Sequence, residues 1–343
     1  MRETAEKTAL PFFRTRKGKI VFILSLALLL PCLMILSMLC GVYELSLSEV
    51  LQALADEDAP QAAAQVVRNI RLPRILLGCL TGGVFAVSGA ILQGVMRNPL
   101  ASPGILGVSA GGGLAVIVLA LVFPALYSFA VPAAFAGAFL TAILVYLLAW
   151  KQGVDPVRLI LAGIAVSAML GAFSGMVLIL HPDRAGSVLD FTVGSLAMKS
   201  WAHVRQAAFW GLGALAVSFF CGGHLNILEL GDETAASLGL SVERTRRFLL
   251  ALAALLAADG VSAAGLLGFA GLIAPHTVRL IIGPDNRFLL PASALAGAIL
   301  VVLCDTAARM FSDTQELPAG ILLALLGPPF FLYLLRKEQR HAL

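Results

Sequence analysis

The chain has 343 residues, of which 59% are hydrophobic and only 13% are charged. A soluble domain carries about 25% charged residues, so the composition excludes an ordinary soluble protein and indicates a polytopic membrane protein. The formal net charge of +4 does not indicate a nucleic-acid-binding protein, because the basic residues are spread over short loops and form no patch.

The amino-terminal segment, residues 1–19, is polar and basic and precedes an uncharged run from Ile20 to Gly41. A secretory signal peptide has the same order of segments. This run, however, is too long for a usual signal-peptide core and contains no A-x-A cleavage site. We therefore predict that it is retained as the first transmembrane helix.

The second helix follows a polar stretch, residues 44–70, which we expect to lie outside the membrane. The 22 residues between Arg74 and Arg97 contain no charge, and a helix of that length crosses a hydrocarbon core of about 30 Å. Pro99 and Pro103 then break the helix, and irregular backbone at membrane depth persists only against protein or a water-filled cavity. The sequence therefore predicts a gate or a pore-lining loop at this point.

Eight further apolar spans follow, at 104–121, 128–150, 158–180, 203–222, 248–263, 266–283, 288–310 and 317–335. The prediction is an all-α polytopic membrane protein with ten transmembrane helices in a single domain over residues 20–336, followed by a tail at 337–343. If residues 1–19 are cytoplasmic, seventeen of the 24 Lys and Arg residues fall on the cytoplasmic side. That excess of positive charge predicts that both termini are cytoplasmic.

A weak internal repeat occurs at an offset of 176 residues, and it pairs Gly89 with Gly265, Pro99 with Pro275 and Gly107 with Gly283. Many transporters contain inverted repeats. Three matches among helices rich in glycine and proline can also arise by chance, so the pattern alone leaves both interpretations open.

The sequence carries no recognisable catalytic, metal or cofactor site. It has no G-x-x-x-x-G-K-[ST] phosphate loop, so we predict no ATP site of that kind on this chain. The five cysteines form no C-x-x-C pair and lie in apolar spans, where they serve as small hydrophobic residues. Ionisable residues inside spans, namely Asp259, His276 and Asp305, would by themselves indicate a proton relay.

One set of residues carries a family resemblance: Arg71-Leu72-Pro73-Arg74, Ser88-Gly89, Asn98-Pro99-Leu100-Ala101, Pro103 and Leu106-Gly107. This pattern closely resembles the permease subunits of ABC importers for iron-siderophores, haem and cobalamin (FecCD-type), and the likeness extends to about Lys337. The resemblance implies two antiparallel halves, roughly helices 2 to 5 and 7 to 10. It also implies a second permease copy or paralogue, two ATPase subunits that hold ATP and magnesium, and an extracytoplasmic binding protein.

Three arginines, Arg71, Arg74 and Arg309, fall at the outer membrane edge in the predicted topology. The resemblance implies that they dock carboxylates of the binding protein, and a guanidinium group is suited to this because it binds a carboxylate through two hydrogen bonds. The alternative is that they are interfacial arginines whose charged ends reach towards water.

The cytoplasmic segment 224–240 resembles the family's coupling helices, which contact the ATPase. We expect its apolar residues Leu225, Leu228, Ala235, Leu238 and Leu240 to bury one face and its acidic residues Glu229, Asp232 and Glu233 to stay in water. The alternative, a helix lying on lipid, is disfavoured because acidic residues suit anionic headgroups badly. The predicted coupling residues are Leu228, Glu229, Gly231, Asp232, Glu233, Leu238 and Gly239.

A stripe of small residues on the fifth helix, Gly163, Ser167, Gly171 and Gly175, has i+4 spacing. Such a stripe allows close helix packing, and the resemblance implies that it also lines the transport pathway. By the same resemblance Asn98 and Leu100 form part of a cytoplasmic gate. Pro156 and Val157 would face them, although the family usually has small polar residues at those two positions.

The sequence therefore predicts a permease of the bacterial cytoplasmic (inner) membrane that moves ferric siderophore and is not itself an enzyme. Cobalamin or haem remains an alternative cargo. The alternative of another class is a proton-coupled secondary transporter, although the resemblance implies that His276 and Asp305 are structural hydrogen-bonding groups. Leu266 and Asp259 depart from the family pattern, and the role of Asp259 is open.

Overall fold

A computed structural model gives the fold, and it describes residues 13, 15–41, 43–55, 61–151, 155–311 and 316–341. The predicted terminal segments 1–19 and 337–343 are covered only in part, since residues 1–12, 14, 342 and 343 lie outside the described residues. In the part of the chain that is described, the fold is all helical and contains no β-strand.

The main helices follow the predicted spans closely. They are α1 (Arg16–Leu39), α2 (Leu47–Ala55), α3 (Leu72–Val95), α4 (Val108–Leu121), α5 (Ala130–Ala149), α6 (Pro156–Leu180), α7 (Trp201–Phe220), α8 (Gly222–Leu228), α9 (Asp232–Ser237), α10 (Val242–Ala264), α11 (Ala270–Ile282), α12 (Asn286–Met310) and α13 (Ala319–His341). A π-helical turn, Val66–Arg71, leads directly into α3.

Six of these helices, α1, α3, α5, α6, α10 and α12, are long and apolar enough to cross a membrane. The pair α7 and α8, bent by 57°, makes a seventh if it counts as one span. Three shorter apolar helices are α4, α11 and the first part of α13, Ala319–Phe330. The fold is therefore polytopic and all-α, and a count of ten spans requires these three shorter helices as well.

Two predicted spans begin later than expected because of left-handed backbone. The span predicted at 266–283 becomes helical only at Ala270, since Gly265 (φ 76°) and Phe269 (φ 63°) interrupt the chain. The span predicted at 104–121 starts as a 3₁₀ turn, Pro103–Leu106, and continues as α4 only after Gly107 (φ 70°). Apolar composition does not reveal such breaks, because it reports burial and not backbone conformation.

Helix α3 forms the centre of the bundle and is almost wholly buried. It packs against α7, α10, α11 and α12. Glycines allow two of these contacts: a Cβ atom added at Gly82 would overlap the backbone of Gly297 in α12, and one added at Gly89 would overlap the carbonyl group of Gly271 in α11. In contrast, α1 and α6 lie at the periphery, and few of their apolar residues are buried.

The bundle has two chemically distinct ends. The arginine end contains the carboxyl ends of α1 and α12 and the amino end of α3, and Arg71, Arg74 and Arg309 lie there. The coupling end contains α8, α9, the carboxyl end of α3 and the amino ends of α10 and α12.

Candidate functional site

The three predicted docking arginines lie together at the arginine end, and all are buried, with exposed fractions of 5% for Arg71 and 6% for Arg74 and Arg309. Arg74 binds both carboxylate oxygens of Asp305 on α12, with Nε at 3.1 and 3.0 Å and Nη2 at 2.9 Å from Oδ1. Charge-assisted bonds of this two-pronged kind are about twice as strong as neutral ones. Arg74 and Asp305 therefore join α3 to α12.

The other two arginines bind α1 and the residues that follow it. Arg309 donates to the Ser37 hydroxyl (2.6 Å) and the Cys40 carbonyl (2.9 Å), and its Nε lies 3.2 Å from Asp305. Arg71 donates to the carbonyl oxygens of Met38 and Tyr43. Asp305 is thus shared by two guanidinium groups, and the cluster connects α1, α3 and α12.

The exposed part of this cluster is a carboxylate. Glu316, in the segment before α13, accepts a bond from Nη1 of Arg74 at 2.6 Å, and its side chain is 47% exposed. This contact could not be predicted from the sequence, because Glu316 and Arg74 are 242 residues apart. The docking role of the three arginines stays a prediction. A carboxylate of a partner that binds Arg74 would have to compete with Glu316 for this guanidinium group.

At the coupling end, a buried arginine holds α9 against α10. Nη2 of Arg246 donates to both oxygens of Asp232, at 2.7 and 2.8 Å, and Nη1 donates to Glu243 at 2.7 Å. Asp232 also lies 3.5 Å from Arg97, the second residue after α3, and its own side chain is 48% exposed. Asp232 therefore links α9 both to α10 and to the end of the central helix.

The predicted coupling residues separate into a buried group and an exposed group. Leu228 is buried, and Glu229 is nearly so, because it accepts a bond from Asn286 at 3.0 Å and lies 3.5 Å from Arg279. Glu233, Gly239 and Leu238 are exposed, Leu238 by 60%.

Two expectations for this segment were therefore wrong, since Glu229 is not in water and Leu238 is not on the buried face. Glu229 follows the end of α8 at Leu228 and is held inward by Asn286 and Arg279, while Gly231, with a φ of 107°, precedes α9 and reorients it. One amphipathic period consequently does not run through both helices. Leu225 and Ala235 are buried as expected.

The proposed gate residues lie in the loop after α3 and in the first turn of α6, and each of these places is held locally. Asn98 accepts a bond from the backbone NH of Leu100 at 2.9 Å, and Leu100 is exposed. Pro156 begins α6, Val157 is exposed, and Asp155 caps that helix through the NH of Val157 at 2.8 Å.

The small-residue stripe on α6 has two parts. A Cβ atom added at Gly163 would overlap the Ile105 carbonyl, and the Ser167 hydroxyl lies beside Gly107, so this part packs on the turn before α4. A Cβ atom added at Gly171 or Gly175 would meet no described atom within 4 Å. Gly163 and Ser167 therefore have a packing role. Gly171 and Gly175 have free space beside them, and their role in lining the pathway stays a prediction.

Comparison with known proteins identifies the family. The FecCD transport family matches residues 28–337, which is most of the chain. The chain belongs to the FecCD transport family. It is 39% identical over 328 residues to the Fe(3+)-citrate import system permease protein YfmE of Bacillus subtilis, covering 95% of this chain and 98% of that protein.

Other FecCD relatives carry different cargo names. The cobalamin import system permease protein BtuC of Halobacterium salinarum is 43% identical over 286 residues, with 83% of this chain and 77% of that protein covered. The hemin transport system permease protein HmuU of Yersinia pestis is 39% identical, with 86% and 91% covered. A solved ABC transporter assigned to the metal-chelate type, in an inward-facing conformation, superposes with a TM-score of 0.80 at 30% identity, covering 92% of this chain and 98% of that one.

The three ionisable residues that would suggest a proton relay occupy separate environments in the FecCD fold. Asp305 is bound by arginines, as the resemblance implied. His276 lies edge-on to the ring of Phe330. Asp259 is buried in α10 next to Gly211 of α7, and its Oδ2 has no hydrogen-bond partner among the described residues. No group of three metal-ligating side chains occurs within the described ranges.

Proposed function

We propose that this chain is the membrane-spanning permease subunit of a binding-protein-dependent ABC importer that moves ferric siderophore across the bacterial inner membrane. The proposal includes ten membrane spans in two antiparallel-related halves. Six spans are long helices, one is the bent pair of α7 and α8, and three are the shorter apolar helices. Both termini then lie in the cytoplasm, as does the coupling end. Support comes from the FecCD family match and from the iron-chelate permeases among the relatives.

The observation that carries the mechanism is the position of Asp232. This residue starts α9, whose exposed surface would contact an ATPase subunit, and it lies 3.5 Å from Arg97. Arg97 directly precedes Asn98 of the proposed gate and is three residues before Leu100. Movement of α9 would therefore displace the gate loop through one ion pair. In this proposal two ATPase subunits bind ATP and magnesium, and a second permease copy or paralogue completes the pathway.

The experiment that tests this function measures uptake in cells with and without the chain. Radioiron on a panel of siderophores and on haem, and radiocobalt in cobalamin, are each supplied before and after ATP depletion. We expect the deletion to remove ATP-dependent entry of one iron chelate. Entry that survives ATP depletion but stops when the proton gradient is dissipated would overturn the ABC assignment and favour the secondary transporter.

Cobalamin is the second candidate cargo, because the relative with 43% identity carries that name. The same experiment decides between the two cargoes. Loss of cobalamin entry with unchanged iron uptake would keep the ABC mechanism and replace the cargo.

Leu238 provides a test of the coupling surface. We expect Leu238→Asp to weaken association with the ATPase at least tenfold, about 1.4 kcal/mol. Leu238 is 60% exposed and so can contact a partner, and aspartate would place a charge in that apolar contact. The thermal stability of the chain should not change, since no core contact is lost. Co-purification and ATPase titration measure the effect, and the exposed Leu54→Asp on α2, at the other end of the bundle, is the control. Equal effects of the two variants would refute this role for α9.

Glu316 provides a test of docking that leaves the buried arginines unchanged. If binding-protein carboxylates reach Arg74, Glu316→Gln removes an internal competitor for Nη1, and we expect the binding protein to bind several-fold more tightly. Titration of the binding protein onto the chain in nanodiscs measures this. Glu49→Gln on α2 is the control, since Glu49 is an exposed carboxylate bonded to Ser46. Weaker binding by the Glu316 variant would show that Glu316 itself contacts the partner.

A further inference from the structure

A groove of about 220 Å³ lies between α5 and α10 near the coupling end. Phe139, Ile143 and Tyr146 of α5 line one side, and Leu250, Ala251 and Ala254 of α10 line the other. The neighbouring surface of α5 is exposed and apolar, with Leu144 and Leu147 pointing outward. The groove therefore opens towards the hydrocarbon region of a membrane.

A cation stands at one end of this groove. Arg247 follows the buried Arg246 in α10, is exposed and also lines the groove. Its Nε lies 3.4 Å from the Glu243 carbonyl, and its guanidinium lies 5.4 Å from the centre of the Trp150 ring. Whereas Arg246 binds two carboxylates, no carboxylate within the described ranges lies at ion-pair distance from Arg247. Its positive charge is therefore available to an external anion.

A polar group next to Arg247 also lacks a partner. The Tyr146 hydroxyl is buried, and it makes no hydrogen bond to any described residue. A buried hydroxyl is normally hydrogen-bonded, so an orphaned one indicates a missing partner. Tyr146 lines the same groove, so its hydroxyl would reach an acceptor atom held there once the ring turns outward.

The position of these groups matches the membrane interface. Trp150 ends α5 and is exposed, and Trp and Tyr are enriched at the level of lipid headgroups. The apolar part of α10 begins directly after Arg247, at Phe248. Arg247 therefore lies at headgroup level while the groove extends into the acyl-chain region.

We propose that this groove is a binding site for an anionic phospholipid. One acyl chain lies between α5 and α10, the phosphate pairs with Arg247, and a phosphodiester oxygen accepts a hydrogen bond from Tyr146. A helix of another protein would match the groove only if it placed an anion opposite Arg247, whereas an anionic phospholipid combines an acyl chain and a phosphate in one molecule. A basic pocket between helices at the cytoplasmic side is also a recognised setting for anionic headgroups. Assignment of the site to the cytoplasmic leaflet rests on the proposed function, whereas the site itself does not.

Native mass spectrometry of the purified chain, titrated with phosphatidylglycerol or phosphatidylcholine of identical acyl chains, tests the site. We expect phosphatidylglycerol to bind more tightly, and Arg247→Gln to weaken it about fivefold, equivalent to about 1 kcal/mol for one basic residue. Tyr146→Phe should weaken both lipids, because both offer a phosphodiester oxygen. Ala251→Phe should also weaken both, because its ring fills the groove. The matched control is Arg244→Gln, an exposed arginine on the same helix that lines a different groove, beside His224 and Phe248.

Three results would overturn the proposal. Equal binding of the two lipids would show that charge plays no part, and equal loss in Arg244→Gln and Arg247→Gln would show diffuse attraction instead of a site. Undiminished binding by both Tyr146→Phe and Ala251→Phe would place the lipid elsewhere. Arg247→Gln changes an exposed side chain, and Tyr146→Phe removes a hydroxyl that makes no hydrogen bond to the described residues, so melting curves of these variants should match the parent and binding is then measured on folded protein. The measurement requires no transport, so its outcome is independent of the uptake experiment.

Discussion

Replacement of Asp305 by asparagine is expected to lower the free energy of unfolding by about 3–5 kcal/mol, the usual cost of removing one partner from a buried ion pair. Asparagine keeps the size of the side chain but removes the negative charge that Arg74 and Arg309 share at 2.9–3.2 Å. Both guanidinium groups are buried and cannot recover water without opening the contacts of α12 with α1 and α3. Detergent-based unfolding and size-exclusion melting curves measure the loss.

Two further variants make the Asp305 prediction specific. Glu316→Gln removes a half-exposed carboxylate from the same arginine and should cost less than about 1 kcal/mol, as exposed pairs do. Combined replacement of Asp305 by leucine and of Arg74 and Arg309 by methionine removes three of the four buried charges of the cluster and leaves Arg71 on its carbonyl partners. This variant should restore much of the stability, since apolar groups of similar volume often replace buried ion pairs without loss. A parent-like melting curve for Asp305→Asn would show that the cluster does not stabilise the fold.

The same cluster determines how docking can be tested. Charge reversal at Arg71 and Arg74 would place glutamates beside the carbonyl oxygens of Met38 and Tyr43 and beside the carboxylate of Asp305. Loss of uptake in such a variant would then follow from misfolding as readily as from lost docking. Substitution of the exposed Glu316 avoids this, because the buried bonds between Arg74 and Asp305 remain.

The long helices could be predicted from the sequence because each coincides with a long, strongly apolar segment, and the 22 uncharged residues after Arg74 leave few alternatives. The helix breaks at Gly107 and Phe269 could not be predicted, because hydropathy does not depend on backbone dihedral angles. The partners of the arginines were equally hidden, since Arg74 and Asp305 are 231 residues apart. At the coupling end, the pattern of apolar and acidic residues predicted an amphipathic segment. It could not predict that Leu238 faces outward, because the change of direction at Gly231 is a property of the backbone.

Replacement of Gly89 by alanine is expected to destabilise the chain by more than about 3 kcal/mol, at or above the usual range for overpacking. The added methyl group would overlap the carbonyl group of Gly271, and neither atom belongs to a side chain that can change rotamer. Helix α11 would have to move away from α3. Gly271 also faces Pro103 of the turn before α4, so this movement would disturb the proposed gate loop. We expect low accumulation of folded protein and, in the fraction that folds, reduced uptake.

The same substitution at Gly83 is the control for Gly89. A Cβ atom there would lie 3.5 Å from the Ala294 carbonyl oxygen, which is an ordinary contact. Because alanine favours a helix over glycine by about 1 kcal/mol, Gly83→Ala should be neutral or slightly stabilising. Both glycines lie inside α3, so propensity contributes equally at the two positions and the difference between the variants measures the α3–α11 contact. Equal melting temperatures for the two variants would mean that α11 can shift at little cost, and the close approach at Gly89 would then not be what fixes α11 against α3.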